Sequence, residues 1–422
     1  MKPRATSARI SAGAKSFALS IHLLRTRQFG TFFFASLLSN LGTWAQQVAE
    51  PWLLLSLGAS SFLIGLDSFA TAAPVFMLTL LGGALADRAD RRHIIVIFQS
   101  IQMLCPTTLV ILLLVGTIEP WMVIALSVVV GVTDALSMPS FQSIVPSIVE
   151  RAQIPAALAL NATQFNLSRL LGPALAGIVM ASIGAIGCFA LNAASYLPFI
   201  WVALWILPRG GSREAADNAS APLALFAGVR EIARVRHLRG ALLTAFLSSA
   251  FCGPLIVFCP VLVKQALHGD VGDFSIAIAA FGVGGLIGAT ALLGVDPSRD
   301  RRRLSSWFAM VYGFVLVLAA INARFWGLAA LLVLAGFSMS VSNTSANALL
   351  QSVTAQRMRG RTISLYMLAL RGGVSIGSLL TGMSVHMLGV QQALLINGIL
   401  AVVSQIIVGR EWMRSPPPRA VS

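Results

Sequence analysis

Twelve stretches of about twenty apolar residues constrain this chain more than any other feature of its sequence. They lie near 30–54, 62–84, 93–115, 120–139, 162–183, 187–207, 241–263, 274–294, 305–322, 326–347, 362–384 and 390–409. Twenty helical residues cross a hydrocarbon core of about 30 Å. Each stretch is therefore expected to be a membrane-spanning helix, and the fold class an all-α integral membrane protein with twelve transmembrane helices. Composition points the same way. Of the 422 residues, 57% are hydrophobic and 11% are charged, against about 25% charged in a soluble domain. A water-soluble enzyme is excluded, because so few polar residues cannot coat a globule of this size.

The formal charge of +15 would point to nucleic acid if it were concentrated in one patch. It is spread over alternate loops instead. Of the 30 Lys and Arg residues, 26 fall in the N-terminal arm, the loops after spans 2, 4, 6, 8 and 10, and the tail. Lys264 and Arg324 lie in the opposite loops, and Arg169 and Arg371 lie within spans. By the positive-inside rule both termini are expected in the cytoplasm, and the partner of this charge is anionic lipid, with no nucleic acid. The polar stretch Met1–Gln28 contains no short apolar run followed by small residues, so no signal peptide is expected there. Cys105, Cys188, Cys252 and Cys259 sit inside apolar runs without metal or redox spacing and read as small core residues.

The longest polar connection, rich in Gly, Ser, Asp and Asn, divides the chain. The expected organisation is a basic arm (1–28), a six-helix bundle (29–207), a linker (208–239), a second six-helix bundle (240–409) and a tail (410–422). Internal repetition supports two pseudo-symmetric halves. Pro51 and Pro260 each follow an Arg-x-Arg pair by 24 residues, and Gly131, Gly172 and Gly177 recur 205 positions later as Gly336, Gly377 and Gly382. Parallel six-span repeats are one architecture of secondary transporters.

The loop after span 2 reads Gly83-Ala-Leu-Ala-Asp87-Arg88-Ala-Asp90-Arg91-Arg92. It resembles the G-x3-D-R-x-G-R-R signature of the major facilitator superfamily, with Asp90 where glycine is common. Pro139-Ser-Phe-Gln-Ser-Ile-Val-Pro146, Asn166-Leu-Ser-Arg169-Leu-Leu-Gly172-Pro173 and Arg359-Gly-Arg361-Thr-Ile-Ser-Leu-Tyr366 resemble one branch of it, the bacterial transmembrane secretion effectors, which include enterobactin and macrolide exporters. The resemblance implies a monomeric, proton-coupled exporter of the bacterial inner membrane. Its partners would be protons and a small amphipathic organic substrate such as a drug, siderophore or metabolite. It further implies that Asp87 meets the start of span 11, with Arg88, Arg91 and Arg92 gating the cytoplasmic side against acids such as Asp90 or Asp134.

Charges inside spans are costly, about 2.5–3.5 kcal/mol each at the centre of an inserting helix, and mark function. Glu50 and Asp67 fall in the outer third of adjacent spans; Cys259 and Ala279 occupy the repeat positions, so the fold itself does not require the acids. Desolvation and mutual repulsion disfavour two charges side by side, which makes them the candidate proton site. Both instead reach water if they lie at the interface. Asp134 and Arg169 fall in the inner thirds of spans 4 and 5 and are placed to neutralise each other. Arg371 has no acid at its repeat position and is left to meet an anionic substrate or a helix carbonyl end.

Superfamily geometry places the first and fourth helices of each half on a central cavity. Candidate lining residues are Asn40, Thr43, Trp44, Gln46 and Gln47 of span 1, Ser127, Thr133 and Ser137 of span 4, and Ser340, Asn343 and Asn347 of the polar span 10. Amides and hydroxyls beside an indole suit an amphipathic molecule, while interhelical hydrogen bonds account equally well for part of the set. The five histidines are dispersed, and no metalloprotease, nucleophile-elbow or P-loop pattern occurs, so neither an enzyme, a metal nor a cofactor is expected. An importer on the same fold and a non-transporting sensor remain open alternatives.

Overall fold

The computed structural model describes residues 21–207, 236–293, 300–354 and 359–413. Most of the arm, the linker and the tail therefore lie outside the described residues, as do the side chains of Gly83, Asp87 and Arg88. Among the described residues the chain is helical, without strands. The first half comprises α1 (Arg27–Ser56), α2 (Ser61–Arg88), α3 (Arg91–Val115), α4 (Pro120–Ser147), α5 (Ile154–Ile183) and α6 (Ala185–Trp205). The second comprises α7 (Arg236–Cys252), α8 (Val271–Leu293), α9 (Arg301–Ile321), α10 (Phe325–Val353), α11 (Arg359–Leu388) and α12 (Val390–Met413).

Among the described residues ten of these are long and apolar enough to cross a membrane, α7 counting with its continuation to Val257. The other two are α1 and α2. Asn40, Thr43, Gln46, Gln47 and Glu50 dilute the apolarity of α1, and the described apolar stretch of α2 is Ser61–Val75. Large apolar side chains such as Leu114, Trp205, Trp326 and Met387 are exposed on the outer faces, as helices meeting lipid require.

The connections at the end remote from residues 27 and 413 are short, and positive φ angles shape most of them. Gly58, Gly116, Gly184 and Gly389 have φ between 75° and 85°, a conformation that costs glycine nothing. At the opposite end Asp90 and Asp300 take extended backbone and cap α3 and α9. Each carboxylate accepts from the N–H two residues on, at 3.0 Å. Asp90 therefore fits where a glycine is usual, because no left-handed residue is needed there.

Helices α1–α6 and α7–α12 pack by the same scheme. Within the halves α2 lies along α4 and α8 along α10, while α1 contacts α5 and α7 contacts α11. Between the halves α2 lies along α11, and α5 along α8. The three repeated glycines mark these crossings in pairs. Gly131 abuts the α2 backbone at Thr71 as Gly336 abuts α8 at Phe281, and Gly172 meets α1 at Trp44 as Gly377 meets α7 at Ala250. Gly177 faces α8 at Ser275, and Gly382 faces α2 at Ser61. A Cβ at any of them would collide with its neighbour, so close helix approach explains the repetition.

One apolar cluster joins both halves at the end remote from residues 27 and 413. It includes Leu53, Leu54 and Ile64 of one half and Phe258, Phe274 and Leu332 of the other. Trp52 stacks on Phe274 across this seam at 5.0 Å. At the opposite end the described residues form two separate cores: one around Phe29, Ile144 and Phe199, the other around Leu238, Tyr366 and Trp412. Among the described residues the halves are thus sealed at one end and divided at the other.

Three elements depart from the expected spans. Helices α4 and α5 each extend eight residues beyond the expected span toward the end that holds residues 27 and 413, to Ser147 and from Ile154. Asp134 and Arg169 are therefore mid-helix residues, not residues of the inner third. The seventh span is not one helix. Its hydrogen-bond ladder is interrupted at Pro254, which has no N–H, while Gly253 keeps helical dihedrals; the backbone leaves the helical region at Phe258 and the span ends in a π-helical turn, Leu262–Ala266. Pro51, at the repeat position of Pro260, leaves α1 continuous.

Candidate functional site

Helices α1, α2 and α4 bring Glu50 and Asp67 to a single hydroxyl. Ser127 Oγ donates to Asp67 Oδ1 at 2.6 Å and lies 3.5 Å from Glu50 Oε1. Both acids are buried, 8% and 4% exposed, so the interface reading, in which each reaches water independently, does not describe them. A serine has one hydroxyl proton. With both acids ionised it serves one of them. With one proton added, Glu50 can donate to Ser127 Oγ while Ser127 donates to Asp67, and every member is satisfied.

The acids belong to a wider polar network. Gln46 Nε2 donates to Glu50 at 3.3 Å, Asn192 Nδ2 of α6 donates to Gln46 Oε1 at 2.6 Å, and Thr43 Oγ1 lies 3.4 Å from both Asn192 Oδ1 and the Tyr196 hydroxyl. Between them is a cavity of about 20 Å³, bordered also by Gln47, Gln102 and Pro106. That is room for about one water with polar partners on several sides. Sequence reasoning missed Gln102, Asn192 and Tyr196. The available signal was polar side chains at helical spacing inside apolar spans, Gln99 with Gln102 and Asn192 with Tyr196.

A second centre lies between the halves. Asp134 does not pair with Arg169. Its Oδ2 is 3.2 Å from Arg371 Nη1 of α11, and its Oδ1 accepts from Gln102 Nε2 at 2.9 Å. Gln102 in turn accepts from Gln99 at 2.7 Å. Both side chains of the ion pair are about one-third exposed, 36% and 37%, so the pair faces open space. Among the described residues Arg169 makes no ion pair, and its Nε is buried without a hydrogen-bond partner. At the signature loop Asp90 is 3.4 Å from His93 and Arg92 is buried, while Arg91 Nε has no partner.

The cavity candidates divide. Trp44 packs edge-on to Phe165, Asn40 donates to Gln164 at 3.4 Å, and Gln47 is exposed inside the bundle. In α10 two of the three candidates are buried and the third is half-buried. Ser340 is 1% exposed and its Cβ faces the α8 backbone at Gly288; Asn343 is buried, and Asn347 accepts from Gln351 at 3.0 Å. The small size of serine lets α8 and α10 approach, which explains much of the polarity of that span without a cavity.

Comparison with known proteins assigns the architecture. The family model for transmembrane secretion effectors matches residues 19–416. The staphyloferrin A transporter of Staphylococcus aureus is 25% identical over 88% of this chain and 93% of its own length. The multidrug efflux pump Tap of Mycolicibacterium fortuitum is 23% identical over 87% and 93%, and the enterobactin exporter EntS of Shigella boydii is 25% identical over 97% and 99%. Among solved structures, the nucleoside transporter NupG superposes with a TM-score of 0.70 at 12% identity, covering 93% of this chain and 99% of its own. A bacterial homologue of the lysosomal transporter Spinster gives 0.69 at 15% identity over 94% and 99%; these two likenesses concern the fold. The chain is a multi-pass membrane transporter of the major facilitator type and belongs to the transmembrane secretion effector family.

Proposed function

We propose that this transporter exports a small amphipathic organic molecule across the bacterial inner membrane by alternating access, in exchange for protons taken up at Glu50 and Asp67. The observation that carries this reading is the pair of buried carboxylates converging on Ser127. An isolated charge there is expensive, and the pair becomes fully hydrogen-bonded on gaining one proton. Three relatives carry export in their names: a multidrug efflux pump, a macrolide efflux protein and an enterobactin exporter.

In this reading residues 29–207 and 240–409 are the moving halves, 208–239 links them, and the arm 1–28 and tail 410–422 lie in the cytoplasm. The divided end then faces the cytoplasm, where substrate enters, and the protein works as a monomer. Asp87, Arg88, Asp90, Arg91 and Arg92, with Gly83 allowing close helix approach, act as the cytoplasmic gate. Asp87→Asn leaves insertion intact and lowers transport.

The test uses inverted vesicles with an imposed pH gradient, challenged with dyes, antibiotics and siderophores. Wild type lets one compound collapse the gradient, and Glu50→Gln/Asp67→Asn does not. A compound that accumulates in vesicles without moving protons overturns the proton assignment.

A further inference from the structure

The centre between the halves carries more positive than negative charge. Arg371 has Asp134 as its acid, but that carboxylate is shared with Gln102. Arg169 lies within Coulombic reach of Arg371, which it repels, and has no acid of its own among the described residues. Its side chain is half-buried mid-way along α5, with the Nε orphaned. A second donor on α5, Gln164 Nε2, is likewise buried and without an acceptor. A fold that only needed to seal the two halves would neutralise such a charge or replace it with an apolar residue, because a partly buried cation without an acid is costly inside a membrane span. The three charged groups stand where the halves divide, and the Asp134–Arg371 pair is open to the space between them.

We propose that Arg169 and Arg371 form a binding site for the carboxylate of an amphipathic organic anion, with Asp134 as the internal acid that the substrate displaces from Arg371. The inference rests on the transport reading and names its substrate class. The guanidinium fork suits a carboxylate, which can accept two parallel N–H bonds. Substrate binding would then release Arg371 of one half from Asp134 of the other and remove a contact that ties α4 to α11. Trp44 and Phe165, which pack together on the neighbouring stretches of α1 and α5, offer an aromatic surface for the apolar part of the molecule.

The experiment measures binding of matched pairs to the full-length protein in nanodiscs by tryptophan fluorescence: 1-naphthoate against 1-naphthamide, and 2,3-dihydroxybenzoate against its amide. In wild type the carboxylate of each pair is expected to bind about tenfold or more tightly than the amide. Arg169→Gln abolishes that preference, and Arg169→Lys, which keeps the charge, retains part of it. Equal or tighter amide binding, no carboxylate binding, or an unchanged preference in Arg169→Gln overturns the proposal. The wild-type comparison needs no variant, so a misfolded Arg169→Gln does not shield the idea. Failure here is separable from failure of the coupling reading. Proton-coupled flux of neutral or cationic compounds alone overturns the anion site and leaves coupling intact, whereas carboxylate preference without proton movement does the reverse.

Discussion

The two halves share a packing scheme and differ in what fills it. Around Glu50 the first half assembles Gln46, Asp67 and Ser127 into a buried polar cluster. The repeat register of each span puts Leu255, Cys259, Ala279 and Leu332 at those places in the second half. Leu255, Cys259 and Leu332 are fully buried in the apolar cluster. The same helix crossings therefore close with hydrocarbon as well as with carboxylates. What the first half retains at some cost in desolvation has no counterpart in the second, and that difference is what places the proposed proton site in the N-terminal half.

The comparison breaks most visibly if one half is rewritten as the other. Gln46→Leu/Glu50→Cys/Asp67→Ala/Ser127→Leu should insert and melt in detergent no lower than wild type, while pH-driven transport falls to the level of empty vesicles. A lower melting temperature would mean that the polar cluster is structural. The reverse change is the next largest. Cys259→Glu places a lone carboxylate among Leu255, Phe258 and Leu332, and an uncompensated charge in a span costs about 2.5–3.5 kcal/mol; expression and thermal stability should both drop.

Ser127→Ala sharpens the role of the bridge. Removing the hydroxyl leaves Asp67 without its 2.6 Å donor, and an orphaned buried group costs about 1–3 kcal/mol. Transport should fall about tenfold, equivalent to 1.4 kcal/mol, with a shifted pH profile, and Ser127→Thr should recover most of it. The smallest effect concerns the matched caps. Asp90→Ala and Asp300→Ala should each cost about 1 kcal/mol of stability, read by thermal unfolding. Burial would raise the Asp300 carboxyl, but hydrogen bonds from Arg302 and the Arg302 and Arg303 charges outweigh it and hold it below its usual range. Its contribution is therefore present above the ordinary carboxylate range and is lost as pH falls through the lowered value, a loss that Asp300→Ala should not show.

The fold was largely legible because lipid demands long apolar segments, and the glycine repeats registered real helix crossings. Where hydropathy failed, the cause was geometric. Hydropathy does not fix helix ends: α4 runs eight residues past its expected span and α5 starts eight before its own, which brings Asp134 and Arg169 nearer mid-helix than those bounds imply. It also reads the stretch through Phe258 as an ordinary span, although the backbone leaves the helical region there. Glu50 and Asp67 stood out as charges in apolar runs, and Ser127 did so less, since a serine in a span is cheap. The Asp134–Arg371 pair lay beyond local reasoning, because it joins residues 237 positions apart on opposite halves.

The central claim is that one buried acid pair exchanges a proton for substrate. Its most direct test is substrate-induced proton release from purified protein in weakly buffered detergent, using the compound that collapses the vesicle gradient. The account predicts release by wild type and none by Glu50→Gln/Asp67→Asn at equal substrate occupancy; equal release from both proteins would contradict it.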